Sequence, residues 1–475
     1  MFDQFKRGIL YTAMGKYSVM IVQLLVQAAL SRILTPAEFG IVSAVNIFLV
    51  FFQLLADFGL GPAIIQNKDL NPKEVDAIFN FSIYIAIALG ILFVFLGYPM
   101  SVFYGNEVFI QISRILAVAV FFYGILVVPQ SLLLKEQNFK LVNVATVSGA
   151  LVSGVVSITL AFLGFSYYSM IIGNTTKAMT LFLVFYLKTD TKISMRFKWA
   201  PLKKIYLFSR NQFLFNFINY FSRNLDNLLI GRYFSSTALA YYDRAYTVSL
   251  YPNQILTSVV TSVIHPILSD YADEKERIKQ VYLRISNLLA TLGLPLSVFL
   301  YFSAEEIILN LWGLQWDGSI RAFQLLALSI WVQMILSSTG GIFQSGNRTD
   351  LLLLSGVLST VFNVTGIIIG VLLGEIEYVA LFLVISFTLN LVQANYLLMH
   401  RMFNDNIITF FKVLVKPLIM AGMQLVVFLL LPDLPLNLFA RLVANSALFA
   451  VTWLAGLFLT GEFKRLLREV SRSRS

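Results

Sequence analysis

The chain has 475 residues, of which 58% are hydrophobic and 13% charged, with a mean hydropathy of +0.78 and a formal charge of +10. A soluble domain of this length cannot hide so much apolar surface, so the composition excludes a soluble globular protein and points to a bilayer. There is no cysteine, which excludes disulfides, cysteine-liganded metals and thiol nucleophiles.

A bilayer core is crossed by about 20 apolar helical residues. In chain order, windows of that kind fall at 13–34, 40–66, 77–99, 111–134, 142–163, 166–187 and 207–233. They continue at 238–264, 284–303, 318–343, 351–373, 377–399, 412–431 and 436–460. The expected fold is therefore all-α: a polytopic membrane protein of 14 transmembrane helices. The first window is too long for a signal-peptide core and ends in Arg32-Ile33-Leu34-Thr35-Pro36, with no small-residue cleavage site.

Orientation follows from the distribution of Lys and Arg. With the N-terminus in the cytoplasm, the inner segments collect Lys6 and Arg7, the cluster Lys188, Lys192, Arg196, Lys198, Lys203, Lys204, and the tail Lys464, Arg465, Arg468, Arg472, Arg474. The outer face keeps Arg32, Arg114, Arg232, Arg321 and Arg441, with acids such as Glu107, Glu375, Glu377 and Asp433. Both termini are expected to be cytoplasmic. The positive charge is then a topology signal and an attraction to anionic inner-leaflet lipid, not a sign of nucleic-acid binding.

The chain also repeats itself. A shift of 200 positions aligns Gln23 with Arg223, Gln27 with Asn227 and Arg32 with Arg232. With small slips, Lys73-Glu74 aligns with Lys275-Glu276, Asn138 with Asn347, Gly164 and Tyr168 with Gly374 and Tyr378, and Tyr186-Leu187 with Tyr396-Leu397. Two copies of one membrane unit suggest a transporter holding its substrate between them. The expected division is an N-terminal six-helix lobe at 1–190, a cytoplasmic linker at 191–206 and a C-terminal six-helix lobe at 207–402. The last two helices and the basic tail occupy 403–475. Six spans return the chain to its starting side, so the lobes should be parallel repeats about an axis normal to the membrane. The linker carries Pro201 and a basic, mixed composition that would let it slide on the membrane surface. The inner segment 265–283 reads as a short surface helix.

A charge in hydrocarbon costs roughly 2.5–3.5 kcal/mol on insertion scales, so each intramembrane charge needs a partner or a wet cavity. Lys16 and Asp57 both lie roughly 12–14 Å from the inner surface in consecutive helices, which suggests an ion pair, functional or merely stapling the hairpin. Arg223 and Asp226 share a helix face, and Asp243-Arg244 enter the next helix at similar depth. An Asp226–Arg244 pair would leave Arg223 to face a cavity, where its planar fork suits phosphate. Asn219, Asn224, Asn227, Tyr220, Tyr241 and Tyr242 surround this cluster with groups suited to sugars, or to hydrogen bonds between helices. Gln23 and Gln27 are their counterparts in the first copy. Lys177 and Asn174, with Gln393, Asn390 and Asn395, are further candidates for cavity lining. His265 reads as a surface residue before Pro266, and Glu305-Glu306 as solvated. Pro252, Pro295 and Gly293 mark bending points or packing kinks.

Two stretches carry a family likeness. The first runs from Leu34-Thr35-Pro36-Ala37-Glu38-Phe39-Gly40 through Asp57-Phe58-Gly59-Leu60 to Ile64-Ile65-Gln66-Asn67-Lys68. The second is Arg223-Asn224-Leu225-Asp226-Asn227-Leu228-Leu229-Ile230-Gly231-Arg232, followed by Tyr241-Tyr242-Asp243-Arg244-Ala245-Tyr246. They resemble the polysaccharide transporter family, bacterial flippases for lipid-linked repeat units of O-antigen, capsule, exopolysaccharide or teichuronic acid, within the multidrug/oligosaccharidyl-lipid/polysaccharide flippase superfamily. The resemblance implies an inner-membrane protein that moves an undecaprenyl-diphosphate-type glycolipid from the inner to the outer leaflet by alternating access. It also implies H+ or Na+ coupling, a groove for the lipid tail at the last two helices, and a polysaccharide polymerase among the partners. No cofactor is expected, and no G-x-x-x-x-G-K-[ST] stretch for direct ATP use is present. A cation-coupled drug antiporter would favour an anionic or aromatic cavity, whereas this chain places Arg223, Arg244, Lys16 and Lys177 in the membrane. A membrane polymerase or ligase would usually need a sizeable outer loop, and the outer loops here are short.

Overall fold

The computed structural model describes residues 2–67, 69–194, 199–268, 274–431 and 435–465. Within these, the side chains of 2–10, 207, 208, 211, 214, 215, 218, 219, 221–223 and 258–268 lie outside the description. The described residues are helical throughout, without a strand. Among the described residues, ten helices are long and apolar enough to cross a membrane, or eleven if one bent pair is a single span. By packing, the chain forms two compact units, residues 1–240 and 241–475.

The first unit contains α1 (Phe2–Ile33), α2 (Pro36–Asp57), α3 (Leu60–Gln66), α4 (Pro72–Tyr104), α5 (Val108–Lys135), α6 (Phe139–Phe162), α7 (Tyr168–Tyr186) and α8 (Trp199–Tyr233). Its core is aromatic and aliphatic: Phe79, Ile78, Val128 and Phe185 are fully buried, and Tyr186 stacks between Phe79 and Phe182. The outward faces stay apolar, as Leu92, Phe95 and Val102 on α4 illustrate, which is the surface a hydrocarbon solvent requires.

The window 40–66 is not one continuous helix. It breaks at Phe58 and Gly59, both left-handed at φ 41° and 71°, giving α2 and α3. Glycine tolerates that conformation at no steric cost, and the missing Cβ also lets α8 dock: a side chain at Gly59 would meet Ser209 O at 2.5 Å. Ser209 Oγ donates to Gly59 O at 3.2 Å, and Phe58 stacks on Phe213.

The described residues of the linker bond to α4. Buried Asn80 on α4 donates to Lys192 O and accepts from Ser194 N, while Asp76 accepts from Lys192 N. Lys204 adds an ion pair with Glu74 at 2.6 Å.

α9 (Ser236–Leu268) crosses from the first unit into the second. It is followed by α10 (Lys275–Phe302), α11 (Ala304–Trp312), a 3-10 turn at Leu314–Ser319, α12 (Ile320–Ala327) and α13 (Ile330–Ser345). The unit closes with α14 (Thr349–Leu372), α15 (Ile376–Tyr396), a π-turn at Leu397–Met402, α16 (Ile407–Leu430) and α17 (Leu438–Leu459). Two expectations change here. Residues 275–283 form no separate surface helix but the first turns of α10, because apolar Ile278 and Tyr282 are buried on one face. Glu306 is not solvated: it is 2% exposed and its carboxylate lies 2.7 Å from the Arg441 guanidinium, tying α11 to α17. The window 318–343 is broken as well, with a 53° bend between its two helical parts.

Several helix boundaries recur 200 or 210 residues apart. α1 ends at Ile33 and α8 at Tyr233, while α2 starts at Pro36 and α9 at Ser236. Thr35 caps α2 in a capping box with Glu38, and the Ser235 hydroxyl accepts from Ala238 N at the start of α9. Later, α6 spans Phe139–Phe162 and α14 Thr349–Leu372, each followed by a glycine at positive φ, Gly164 and Gly374.

Candidate functional site

The site is built by helical periodicity within the first unit. Residues four apart share a helix face, as do residues three apart. This brings Gln23 and Gln27 together on α1, Ser153 and Ser157 on α6, and Asn174 and Lys177 on α7, with Asn46 added from α2. These side chains line one cavity of about 280 Å³ whose apolar wall includes Val26, Leu30, Val42 and Leu116.

Small residues let the helices approach closely enough to enclose it. A Cβ at Gly154 would press into Val26 of α1, and one at Gly173 would collide with the Ser157 hydroxyl and meet Ser153 O at 3.0 Å. Close approach through glycine and serine is the usual way helices pack in lipid, where hydrophobic attraction between them is lost.

Lys177 sits near the middle of α7, about 13 Å from either end at 1.5 Å per residue. It is half-buried, and among the described residues its ammonium has neither an acidic partner nor a hydrogen-bond acceptor. Among the described residues, the lining holds no Asp or Glu. The cavity therefore offers one cation, several amides and two hydroxyls, a set that attracts an anion and can bond to hydroxyl groups. On the same wall, the Tyr123 hydroxyl donates to Asn174 Oδ1 at 2.7 Å, fixing the orientation of that amide.

Among the described residues, the other expected site residues do not line this cavity. Lys16 is exposed on α1, and among the described residues no ion pair joins it to Asp57. Asp57 instead accepts from Gly61 N at 3.1 Å, across the helix break. Depth alone suggested that pair, and depth does not fix the rotation of a side chain about its helix. Asp226 is buried and accepts from Asn227 N, and Arg244, also buried, lies over Trp312 and Trp316, 5.4 and 5.8 Å from their ring centroids. The expected Asp226–Arg244 pair straddles the boundary between the two units. Asp243 is half-buried beside Arg244. The side chains of Arg223, Asn219 and His265 lie outside the described residues.

Asn224 donates to Tyr220 O one turn back and lines a second, mainly apolar cavity of about 160 Å³ with Phe48, Phe51 and Phe52. The Asn227 Oδ1 is buried without a hydrogen-bond partner among the described residues. In the second unit, Gln393 donates to Ser355, Asn390 to Ser359, and Tyr282 to Asn395, so these amides stitch α10, α14 and α15 together.

Sequence reasoning missed Asn46, Ser153 and Ser157. Asn46 carried a signal, as an amide within an apolar window; the serines resemble ordinary packing residues until Gly173 is seen to rest on them.

The teichuronic acid biosynthesis protein TuaB of Bacillus subtilis (strain 168) is 25% identical over 441 residues, covering 90% of this chain and 88% of its own. The fold matches that of the lipid II flippase MurJ in an inward closed conformation, with a TM-score of 0.75 at 16% identity over 97% of this chain and 99% of that one. An inward-facing multidrug resistance MATE family transporter matches at a TM-score of 0.60 and 16% identity, over 86% of this chain and 95% of that one. Residues 29–321, more than half of the chain, match the family described as polysaccharide biosynthesis protein. This multi-span membrane protein belongs to that family.

Proposed function

We propose that the chain is a flippase that carries a polyprenyl-diphosphate-linked oligosaccharide from the cytoplasmic to the outer leaflet of a bacterial inner membrane, for the assembly of a surface polysaccharide. The observation that carries this reading is the 280 Å³ cavity with Lys177 among amides and hydroxyls and no carboxylate among the described residues of its wall. Sugars need donors and acceptors, a diphosphate needs a cation, and an organic cation would meet repulsion there. The names and folds of the relatives support the same direction: a teichuronic acid biosynthesis protein in sequence and a lipid II flippase in fold.

In this reading all fourteen windows cross the bilayer, including α7, α8 and α9, whose polar residues keep them outside the set recognised by apolarity alone. Both termini are cytoplasmic, and two six-helix lobes alternate access to the substrate. The chain performs no covalent chemistry. Its transport is coupled to an H+ or Na+ gradient, and a polysaccharide polymerase takes up the delivered glycolipid.

The test is a strain depleted of this protein. Lipid-linked glycan should accumulate, and it should be shielded from a membrane-impermeant glycosidase or lectin applied from outside. Glycolipid that accumulates in the outer leaflet would assign the chain to a later step, polymerisation or ligation, and overturn the reading.

A further inference from the structure

A second polar cavity, of about 250 Å³, lies wholly within the second unit between α10, α16 and the segment after α17. Four cations line it, Arg284, Lys412, Lys416 and Arg465, against one carboxylate, Glu462. That carboxylate is 1% exposed and already engaged: Lys416 Nζ is 2.9 Å from it and Arg465 Nη1 3.4 Å. Among the described residues, Arg284 and Lys412 have no acceptor or acidic partner, and both are exposed at the mouth. Two positive charges, Arg284 and Lys412, are thus left without a carboxylate among the described residues of one pocket.

The pocket is also held in shape. Buried Asn287 donates to Val413 O of α16 at 3.0 Å and accepts from Arg465 Nη1 at 2.9 Å, so one amide fixes three chain segments around the cavity. Cations that served only to set topology would need no such scaffold and no shared cavity.

We propose that this pocket binds the phosphate-bearing headgroup of an anionic phospholipid. The lipid source is favoured by what lies next to the cations. On α16, Val415, Leu418 and Ile419 are each about half exposed, directly beyond Lys412 and Lys416, and they offer an apolar track for acyl chains. A free phosphate would use the cations and ignore that track. The cavity is in the half of the molecule where α16 begins and the described chain ends, the inner-leaflet side in the proposed topology, where anionic headgroups attract basic residues by about 1 kcal/mol each. Lipid bound here would anchor α16 and α17 to the inner leaflet independently of glycan transport.

The test uses the full-length protein, delipidated in detergent and titrated with short-chain phosphatidylglycerol, phosphatidylcholine of the same chain length, or inorganic phosphate, with binding read by native mass spectrometry. Phosphatidylglycerol should bind and phosphatidylcholine should not. The double variant Arg284→Gln/Lys412→Gln should weaken phosphatidylglycerol binding by about tenfold or more. Lys412→Gln alone, at an exposed position without a protein partner, should shift binding in the same direction and keeps the test available if the double variant folds poorly. Equal binding of the two lipids, or unchanged phosphatidylglycerol binding in the variants, would overturn the proposal. Inorganic phosphate binding as tightly as phosphatidylglycerol would also overturn it, by making the ligand a free anion.

Discussion

The Asp57 carboxylate lies 3.1 Å from the Gly61 amide nitrogen, so an acidic side chain deep in an apolar window satisfies the first turn of α3. A helix start leaves its N–H groups without intrahelical partners, and an acidic side chain there is worth about 1 kcal/mol. Asp57→Ala should therefore destabilise the protein by about that amount, and Asp57→Asn, which keeps the acceptor, should cost less. Lys16→Ala should leave stability nearly unchanged. Combined substitutions at the two positions should be additive in detergent unfolding, and exchanging the two residues should rescue nothing. A clear rescue by the exchange would show that the charges meet.

The same break depends on Gly59. Alanine there would have to hold a left-handed φ of 71° and push against the α8 backbone at Ser209. Gly105 has a similar φ of 67° but open space around it. Gly105→Ala should cost about 1 kcal/mol, the conformational penalty alone. Gly59→Ala should cost distinctly more, lowering thermal stability in detergent and loosening α8. Equal losses at both positions would mean that the contact with α8 adds nothing.

Acid should weaken one particular contact. Lys279 Nζ lies 2.9 Å from Asp405 in the turn before α16. The hydrogen bond from Lys279, helped by Asn406 N, holds the Asp405 carboxyl below its ordinary range. A depressed folded value means that the stabilisation is present above the ordinary Asp pKa of about 4 and is lost as pH falls through the lower folded value. Lys279→Met should remove most of that depression, so the acid-dependent loss of stability below about pH 4 becomes shallower. Unfolding curves that depend on pH identically in wild type and variant would contradict the assignment.

Helix content and position were legible because apolar windows of about 20 residues leave few alternatives to a membrane-crossing helix. Gln23, Gln27, Asn174 and Lys177 were legible for a related reason: polar groups in such windows need a destination, and one cavity receives all four. The break after Asp57 was not, since the run from Leu60 to Ile65 remains apolar and only the left-handed pair Phe58-Gly59 interrupts it. Asn80 illustrates another limit. Its hydrogen bonds reach more than a hundred residues along the chain, and a linker read by composition alone looks loose. Gln393 and Asn390 marked functional lining as plausibly as Asn174 did, yet their bonds to Ser355 and Ser359 spend them on packing. Residue type indicates that a polar group needs a partner; only the packing decides whether that partner is protein or substrate.

The central claim, that glycolipid passes through the Lys177 cavity, is tested most directly at that residue. The measurement is the rate at which newly made lipid-linked repeat units become accessible to an impermeant probe outside the cell, with protein abundance scored in parallel. Lys177→Met removes the only cation among the described lining residues without stranding a carboxylate, so the protein should reach normal levels. A charge-assisted hydrogen bond is worth about 1.5–3 kcal/mol, so the rate should fall by about tenfold to a hundredfold. Lys177→Arg, which keeps the charge, should retain a substantial part of it. A normal rate from a normally abundant Lys177→Met protein would contradict the account.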